Sequence, residues 1–336
     1  MYPTLSASTK NEGTNMQQPT TQEELISRKL KERFCKDHNI PIRIFEEPYF
    51  SERLQLFAKL KPAIIADYEE FNEELNKYAN PQKYFEEYKK IQDKAIDFIK
   101  STPEFQNFNE TDMNFFAKQI PQNLPAKNIY HASNSGKTFI SIDMKHANFN
   151  ALKQYCKTEF HNNRIFGGAE TWEEFIEKFT ASKHIAKSKY IRQIILGNCN
   201  PKRQQSYEKY LMSCLYETIQ EQFSEAFYKD RLVFFSNDEI VFDVTDAEPQ
   251  ELISHRLENL VGSLEVPFKV QLFELQKIQG TDGFIKKSED FIEPKCIDAT
   301  LYPVILRKIF GETIQENDKV FLFNGLKAKL IDLPEL

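Results

Sequence analysis

Two neighbouring carboxylates interrupt an apolar stretch, RLVFFSNDEIVFDV, at residues 231–244. The apolar runs predict two strands, 231–235 and 240–244, and the Ser-Asn-Asp-Glu sequence between them predicts a tight turn. Such a turn would hold Asp238 and Glu239 rigidly at the edge of a sheet. Carboxylate oxygens are the ligands that Mg²⁺ prefers, so the chemistry to consider is a divalent metal site.

A third acid could complete that site. Asp143 ends the apolar run KTFISI, which predicts a strand over residues 137–142. If this strand neighbours the acidic hairpin, Asp143 and Asp238 could bind two metal ions together. The alternative is that Asp143 caps the helix after it, and that Asp238 and Glu239 only stabilise the turn.

The densest basic stretch of the chain lies between residues 183 and 203. A helix with these charges could follow a phosphate backbone, although a solvent-exposed helix face is an equally good interpretation. Arg192 could also neutralise phosphate charge next to the acids, since a guanidinium binds phosphate through two parallel hydrogen bonds. The candidate nucleic-acid contacts are Lys183, Lys187, Lys189, Arg192, Lys202 and Arg203.

Composition limits the class of protein. The 336 residues carry a net charge of -6, so any contact with DNA or RNA must come from a local basic surface. The five cysteines are scattered without metal-binding spacing, which is typical of reduced intracellular thiols. There is no apolar run long enough to cross a membrane, and the polar first 20 residues resemble a disordered arm rather than a signal peptide. We expect no membrane association and an intracellular location.

Periodicity divides the chain into four parts. Residues 1–20 form the arm, and residues 21–119 show helical spacing of apolar residues. A Pro-, Asn- and Ser-rich connection opens the third part, residues 120–279, in which strands and helices mix. Residues 280–336 are expected to form a small C-terminal appendix. The fold class is therefore α+β, with a helical N-terminal region before a sheet domain with flanking helices.

The order of segments over roughly residues 137–275 resembles the palm of family A DNA polymerases. In that family a strand ending in a metal-binding Asp runs into a helix, as SIDMKHANFNALKQY does here, with Asp143 in the metal-binding place. A fingers helix with a basic residue follows, matched by YIRQIILGN with Arg192. A hairpin with His-Asp-Glu comes next, matched by NDEIVFDV, and its sequel Leu-x-Val-Pro is present at residues 264–267. The resemblance implies an antiparallel palm sheet, with the helices of residues 22–118 in the thumb's place.

The sequence also departs from that family. Asn237 replaces the hairpin histidine, and Asn148 replaces the acid that helps the family to exclude ribonucleotides. The leading hypothesis is therefore a non-catalytic, nucleic-acid-associated subunit of a larger complex, with no cofactor and with a nuclear location expected. It would bind other protein subunits, and DNA or RNA through residues 183–203. One alternative is a reduced Mg²⁺-dependent nucleotidyltransferase that uses Asp143 and Asp238 as metal ligands, helped by Glu239 and Arg192. The other is a protein-interaction scaffold without nucleic acid.

Overall fold

A computed structural model describes residues 22–247 and 249–335, and it confirms the α+β class. The predicted arm, residues 1–20, lies outside the described residues. None of the described helices is both long and apolar enough to cross a membrane. The helices are α1 (Gln22–His38), α2 (Tyr49–Ala58), α3 (Ile64–Leu75), α4 (Pro81–Ser101), α5 (Pro103–Glu110), α6 (Met113–Ala117), α7 (Ala147–Phe160), α8 (Trp172–Glu177), α9 (Lys183–Lys187), α10 (Lys189–Gly197), α11 (Pro201–Gln222), α12 (Glu225–Tyr228), α13 (Gln250–Gly262) and α14 (Tyr302–Ile309).

Six strands form one antiparallel sheet in the order β2-β3-β1-β4-β5-β6. A separate two-stranded hairpin follows near the C-terminus. The strands are β1 (Lys137–Met144), β2 (Leu232–Phe235), β3 (Glu239–Asp243), β4 (Phe268–Lys277), β5 (Phe284–Lys287), β6 (Ile292–Lys295), β7 (Val320–Phe323) and β8 (Leu326–Lys329).

The two faces of the sheet have different environments because successive side chains of a strand point to opposite faces. In the central strand β1, Ile140 and Ile142 belong to the large core that the helices cover. Phe139 lies on the other face, in a smaller apolar cluster with Phe273 and Phe284. Ser141 and Asp143 share the face of Phe139, so the acids of the candidate site lie on the face away from the main helical core.

The N-terminal helices share the large core with the sheet. The apolar stripe of α4 buries Tyr84, Tyr88 and Ile91, and these residues belong to the same cluster as Ile140. The division expected near residue 120 therefore does not separate two hydrophobic cores. The connection after it also packs on the sheet, because the backbone N–H of Phe235 donates to the Pro125 carbonyl over 2.7 Å.

The C-terminal segment extends the sheet and returns to the start of the chain. Strand β5 pairs with β4 and strand β6 with β5, so the sheet continues past the boundary expected at residue 280. Strands β7 and β8 form a terminal hairpin. The buried Arg53 of α2 donates through Nη2 to the Val320 carbonyl at 2.5 Å, which ties this hairpin to the N-terminal helices.

Candidate functional site

The turn between β2 and β3 is held by one hydroxyl group. Ser236 Oγ accepts hydrogen bonds from the backbone N–H groups of Asp238 (3.2 Å) and Glu239 (2.9 Å). The Ser236 N–H in turn donates to the Glu239 carbonyl over 2.8 Å. Asn237 and Asp238 therefore occupy the tip of a tight hairpin, as the composition of the turn predicted.

The structure brings Asp143 next to this hairpin. Its cross-strand partner in β3 is Glu239, so the two side chains lie side by side on the same face of the sheet. Asp238 occupies the tip instead, where its carboxylate accepts a hydrogen bond from Ser236 Oγ over 3.0 Å. The acids that lie side by side on this face of the sheet are therefore Asp143 and Glu239, whereas the metal-ligand hypothesis paired Asp143 with Asp238.

A buried lysine from the C-terminal segment lies beside these two acids. The Lys286 side chain is only 4% exposed, and its Nζ lies 3.4 Å from Glu239 Oε1. The ammonium group also lies over the ring of Phe273, at 4.4 Å from the ring centre. Strand β5 thus supplies a fixed positive charge at the place where the acids would otherwise attract a cation.

Asp143, Glu239 and Lys286 line a groove in which acids are paired with lysines. It has a volume of about 370 Å³, and its lining includes Lys269 and Lys295 besides the residues already named. Lys269 is the cross-strand neighbour of Asp143 in β4. Lys295 forms an ion pair with Glu293 at 2.7 Å. Neither these lysines nor Lys286 were among the predicted site residues.

Asp143 has an unusual protonation equilibrium in this groove. Burial, with repulsion from Glu239 and Asp238, raises the pKa of Asp143 to about 6, against the opposing effect of Lys286. In residues 22–247 and 249–335, no three His, Cys, Asp or Glu side chains are grouped as metal ligands. The groove thus presents the two neighbouring carboxylates of Asp143 and Glu239 with the Lys286 ammonium group beside them.

A further acid lies behind the tip of the hairpin. The buried Glu208 of α11 accepts a hydrogen bond from Asn237 Nδ2 over 2.7 Å. Burial raises the pKa of Glu208 to about 7, and the charge of Asp238 adds to this effect. Asn237, which stands where the resembled family has histidine, thus anchors the hairpin to α11. Glu208 was not among the predicted site residues, because a single acid in an amphipathic helix carries no motif.

Arg192 is not an exposed phosphate contact. The residue is 8% exposed in α10, and burial lowers its pKa while Glu173 opposes that effect. Its charge also helps to lower the pKa of His146, after the larger effect of burial. Because His146 lies between β1 and α7, Arg192 is near the end of β1.

Arg203 has a structural role in the protein. Its guanidinium group donates to the carbonyl of Phe108 at 2.9 and 3.1 Å and also to the carbonyl of Thr111. These contacts satisfy carbonyl groups at the C-terminal end of α5, which the helix itself leaves unpaired. The neighbouring Lys202 is exposed at the start of α11.

The remaining three candidates lie around one helix junction. Lys183 and Lys187 are exposed one turn apart on α9, and the exposed Lys189 begins α10. Lys187 forms a surface ion pair with Glu70 at 3.5 Å. Lys202 lies beyond the opposite end of α10, a helix about 13 Å long. The predicted basic stretch is therefore divided into two surfaces.

Comparisons with protein-family models, with curated proteins and with solved structures gave no match for this chain. The resemblance to the family A polymerase palm thus stays a prediction from sequence order, beside an observed antiparallel sheet and an acidic hairpin.

Proposed function

We propose that this chain is a non-catalytic, nucleic-acid-associated subunit of a larger protein complex, built on a degenerate polymerase-like palm. The observation that carries the non-catalytic part is the ion pair between the buried Lys286 and Glu239. A lysine fixed among the acids repels a divalent cation and occupies the groove face. The nucleic-acid part is supported by the exposed Lys183, Lys187 and Lys189 at the α9–α10 junction.

An intracellular, nuclear location belongs to the same proposal. All five cysteines are free, and three of them are buried. Free thiols of this kind suit a reducing compartment. The nucleus follows only from the proposed nucleic-acid partner.

The test is binding of fluorescein-labelled single- and double-stranded DNA and RNA, followed by fluorescence anisotropy at several salt concentrations. We expect the Lys183→Ala/Lys187→Ala/Lys189→Ala variant to lose affinity about tenfold or more, with a shallower salt dependence, because each lysine that contacts phosphate contributes about one to the slope. A matched control removes three exposed lysines elsewhere, Lys118, Lys209 and Lys229, and should bind like wild type. Absence of binding by the wild-type chain at low salt contradicts the nucleic-acid part.

The nucleotidyltransferase alternative is favoured by one observation, the side-by-side placement of Asp143 and Glu239 on neighbouring strands. Calorimetric titration with Mn²⁺, with and without a nucleoside triphosphate, separates the two functions. Our proposal expects no binding that depends on Asp143 or Asp238. Binding that disappears in the Asp143→Asn/Asp238→Asn variant would overturn the non-catalytic assignment. Partner binding without any nucleic-acid binding would favour the scaffold alternative.

A further inference from the structure

A basic groove between α1 and α4 lies outside the predicted basic stretch. It has a volume of about 310 Å³, and Lys29, Arg33 and Lys36 of α1 line it opposite Gln82 and Phe85 of α4. The three basic residues are spaced by four and three positions, so they form one stripe along the helix. We infer that this groove is a phosphate-binding site, through which the protein contacts the backbone of single-stranded nucleic acid.

Arg33 is the residue that makes the groove more than a charged surface. Its guanidinium carbon lies over two aromatic rings, at 4.6 Å from the centre of Tyr88 and 4.7 Å from that of Tyr190. The rings restrict the guanidinium group, which binds a ligand through its N–H edge. Nε and Nη1 are buried and have no hydrogen-bond partner among the residues that the structure describes. Buried donors of this kind normally have a partner, and an oxyanion is the partner that the guanidinium edge fits best.

The Tyr88 ring that contacts Arg33 is held by a buried hydrogen-bond network. The hydroxyl of Tyr88 donates to Asp37 Oδ1 over 2.9 Å, and Ser188 donates to the same oxygen over 2.6 Å. His184 Nε2 lies 3.1 Å from Asp37 Oδ2, and neither side chain is more than 3% exposed. This buried network joins α1, α4 and the α9–α10 junction. Arg33 is therefore held in place before any ligand arrives, which lowers the entropic cost of binding.

Two acidic side chains near the groove repel an anion, but neither of them prevents phosphate from binding. Glu32 lines the groove and pairs with Lys36 at 2.7 Å, but both side chains are 42% exposed. An exposed pair of this kind contributes little, so phosphate can replace the carboxylate. Asp37 lies near Arg33 but already has three hydrogen-bond partners of its own.

The groove adjoins the basic surface on which the proposed function rests. Tyr190, which covers one face of Arg33, follows Lys189 in α10, and the Lys36 ammonium lies 5.9 Å from the same ring. Phe85 adds a partly exposed ring on which an unpaired base can stack. A phosphate contact beside an aromatic ring is typical of single-strand binding. The inference rests on the proposed nucleic-acid function for its biological ligand, and on the groove alone for its phosphate chemistry.

The experiment has two probes, a fluorescein-labelled oligothymidylate and inorganic pyrophosphate. We expect Lys29→Ala/Lys36→Ala to weaken oligonucleotide binding about tenfold and to reduce the salt slope by about two, since two phosphate contacts are removed. Arg33→Lys keeps the charge but loses the fork geometry, and it should weaken binding several-fold at an unchanged melting temperature. The control Arg28→Ala/Lys90→Ala removes two exposed charges from the same helices outside the groove and should bind like wild type.

The outcomes separate the groove from the proposed function. If wild type binds the oligonucleotide, but only the variant at Lys183, Lys187 and Lys189 loses affinity, the groove inference is wrong and the proposed function stands. If wild type binds no nucleic acid, the proposed function fails, and pyrophosphate calorimetry decides about the groove. Pyrophosphate binding that is lost in Lys29→Ala/Lys36→Ala then supports a phosphate site for a free ligand, whereas no pyrophosphate binding by wild type overturns it.

Discussion

At the scale of single residues, two carboxyl groups near the acidic hairpin hold their protons unusually tightly. Burial is the main cause in both cases, and it raises the pKa of Glu208 from 4.5 to about 7 and that of Asp143 from 3.8 to about 6. A raised carboxyl pKa favours the folded state only while the group is protonated. The contribution is fully present below the unfolded pKa and is lost as the pH rises through the folded value.

Glu208→Gln should therefore change the pH dependence of stability. Glutamine keeps an acceptor for Asn237 but never ionises. At pH 5 we expect the variant and wild type to differ little, whereas at pH 8 the variant should be more stable by about 1–3 kcal/mol, since wild type must then bury a charge. Urea denaturation at both pH values measures this difference. Equal differences at pH 5 and pH 8 would show that Glu208 ionises with nearly the same pKa in the folded and the unfolded protein.

At the scale of elements, the predictable strands are those with regular apolar patterns. Strands β1, β2 and β3 were predicted from apolar runs and a turn sequence, and all three were confirmed. Strands β5 and β6 have four residues each, and their positions on the groove face carry Lys286 and Glu293. A strand that turns charges inward lacks the alternation that identifies it. The acids of the site could thus be predicted, but the lysine that neutralises them could not.

The basic stretch is broken between two helices. Ser188 ends α9 and caps α10, where its hydroxyl accepts from the Ile191 N–H over 3.0 Å. The same hydroxyl donates to the buried Asp37. A partner 151 positions away in the chain thus helps to fix this break, and local patterns contain no information about it.

Strand β5 gives a prediction of its own. Lys286→Met removes the ammonium group but keeps most of the volume, and it leaves Glu239 beside Asp143 without a positive charge. We expect the free energy of unfolding at pH 7.5 to fall by about 1–3 kcal/mol. A second change, Glu239→Gln, should recover most of this loss, because the two residues interact directly.

The matched control is Lys287→Met, one residue further along β5 on an exposed position. It should change the stability by less than about 0.5 kcal/mol. If Lys286→Met changes the stability as little as this control, the buried ion pair does not stabilise the acidic groove. The main support for the proposed non-catalytic palm is then lost.

At the scale of the whole molecule, the fold class could be predicted but the closure of the chain could not. Alternating and helical patterns are local, so an α+β protein with a helical start followed from them. The return of the C-terminal hairpin to α2 depends on single contacts, such as that of Arg53 with the Val320 carbonyl. Asn317 also donates to Glu52 at 3.0 and 3.2 Å. Nothing in either segment marks the other as its partner.

Arg53→Met should therefore destabilise the whole protein. A charged hydrogen bond to a buried carbonyl contributes about 1.5–3 kcal/mol, and its loss leaves that carbonyl without its donor. We expect a loss of about 2 kcal/mol in urea denaturation followed by circular dichroism. The control Lys59→Met breaks only a partly exposed ion pair with Glu312 between the same two regions, and it should cost less than about 1 kcal/mol. Equal effects of the two changes would show that the C-terminal hairpin is not anchored through Arg53.

The contact between Arg53 and Val320 also determines how late during synthesis the fold can be completed. Its two residues are separated by 267 positions. At about 5–20 residues per second, the ribosome needs roughly 15–50 s to make the residues between them. During that interval α2 lacks the cover that the β7–β8 hairpin supplies. The nascent chain thus exposes this surface until Val320 has been made, so it is a natural client for chaperones that bind unfinished apolar surfaces.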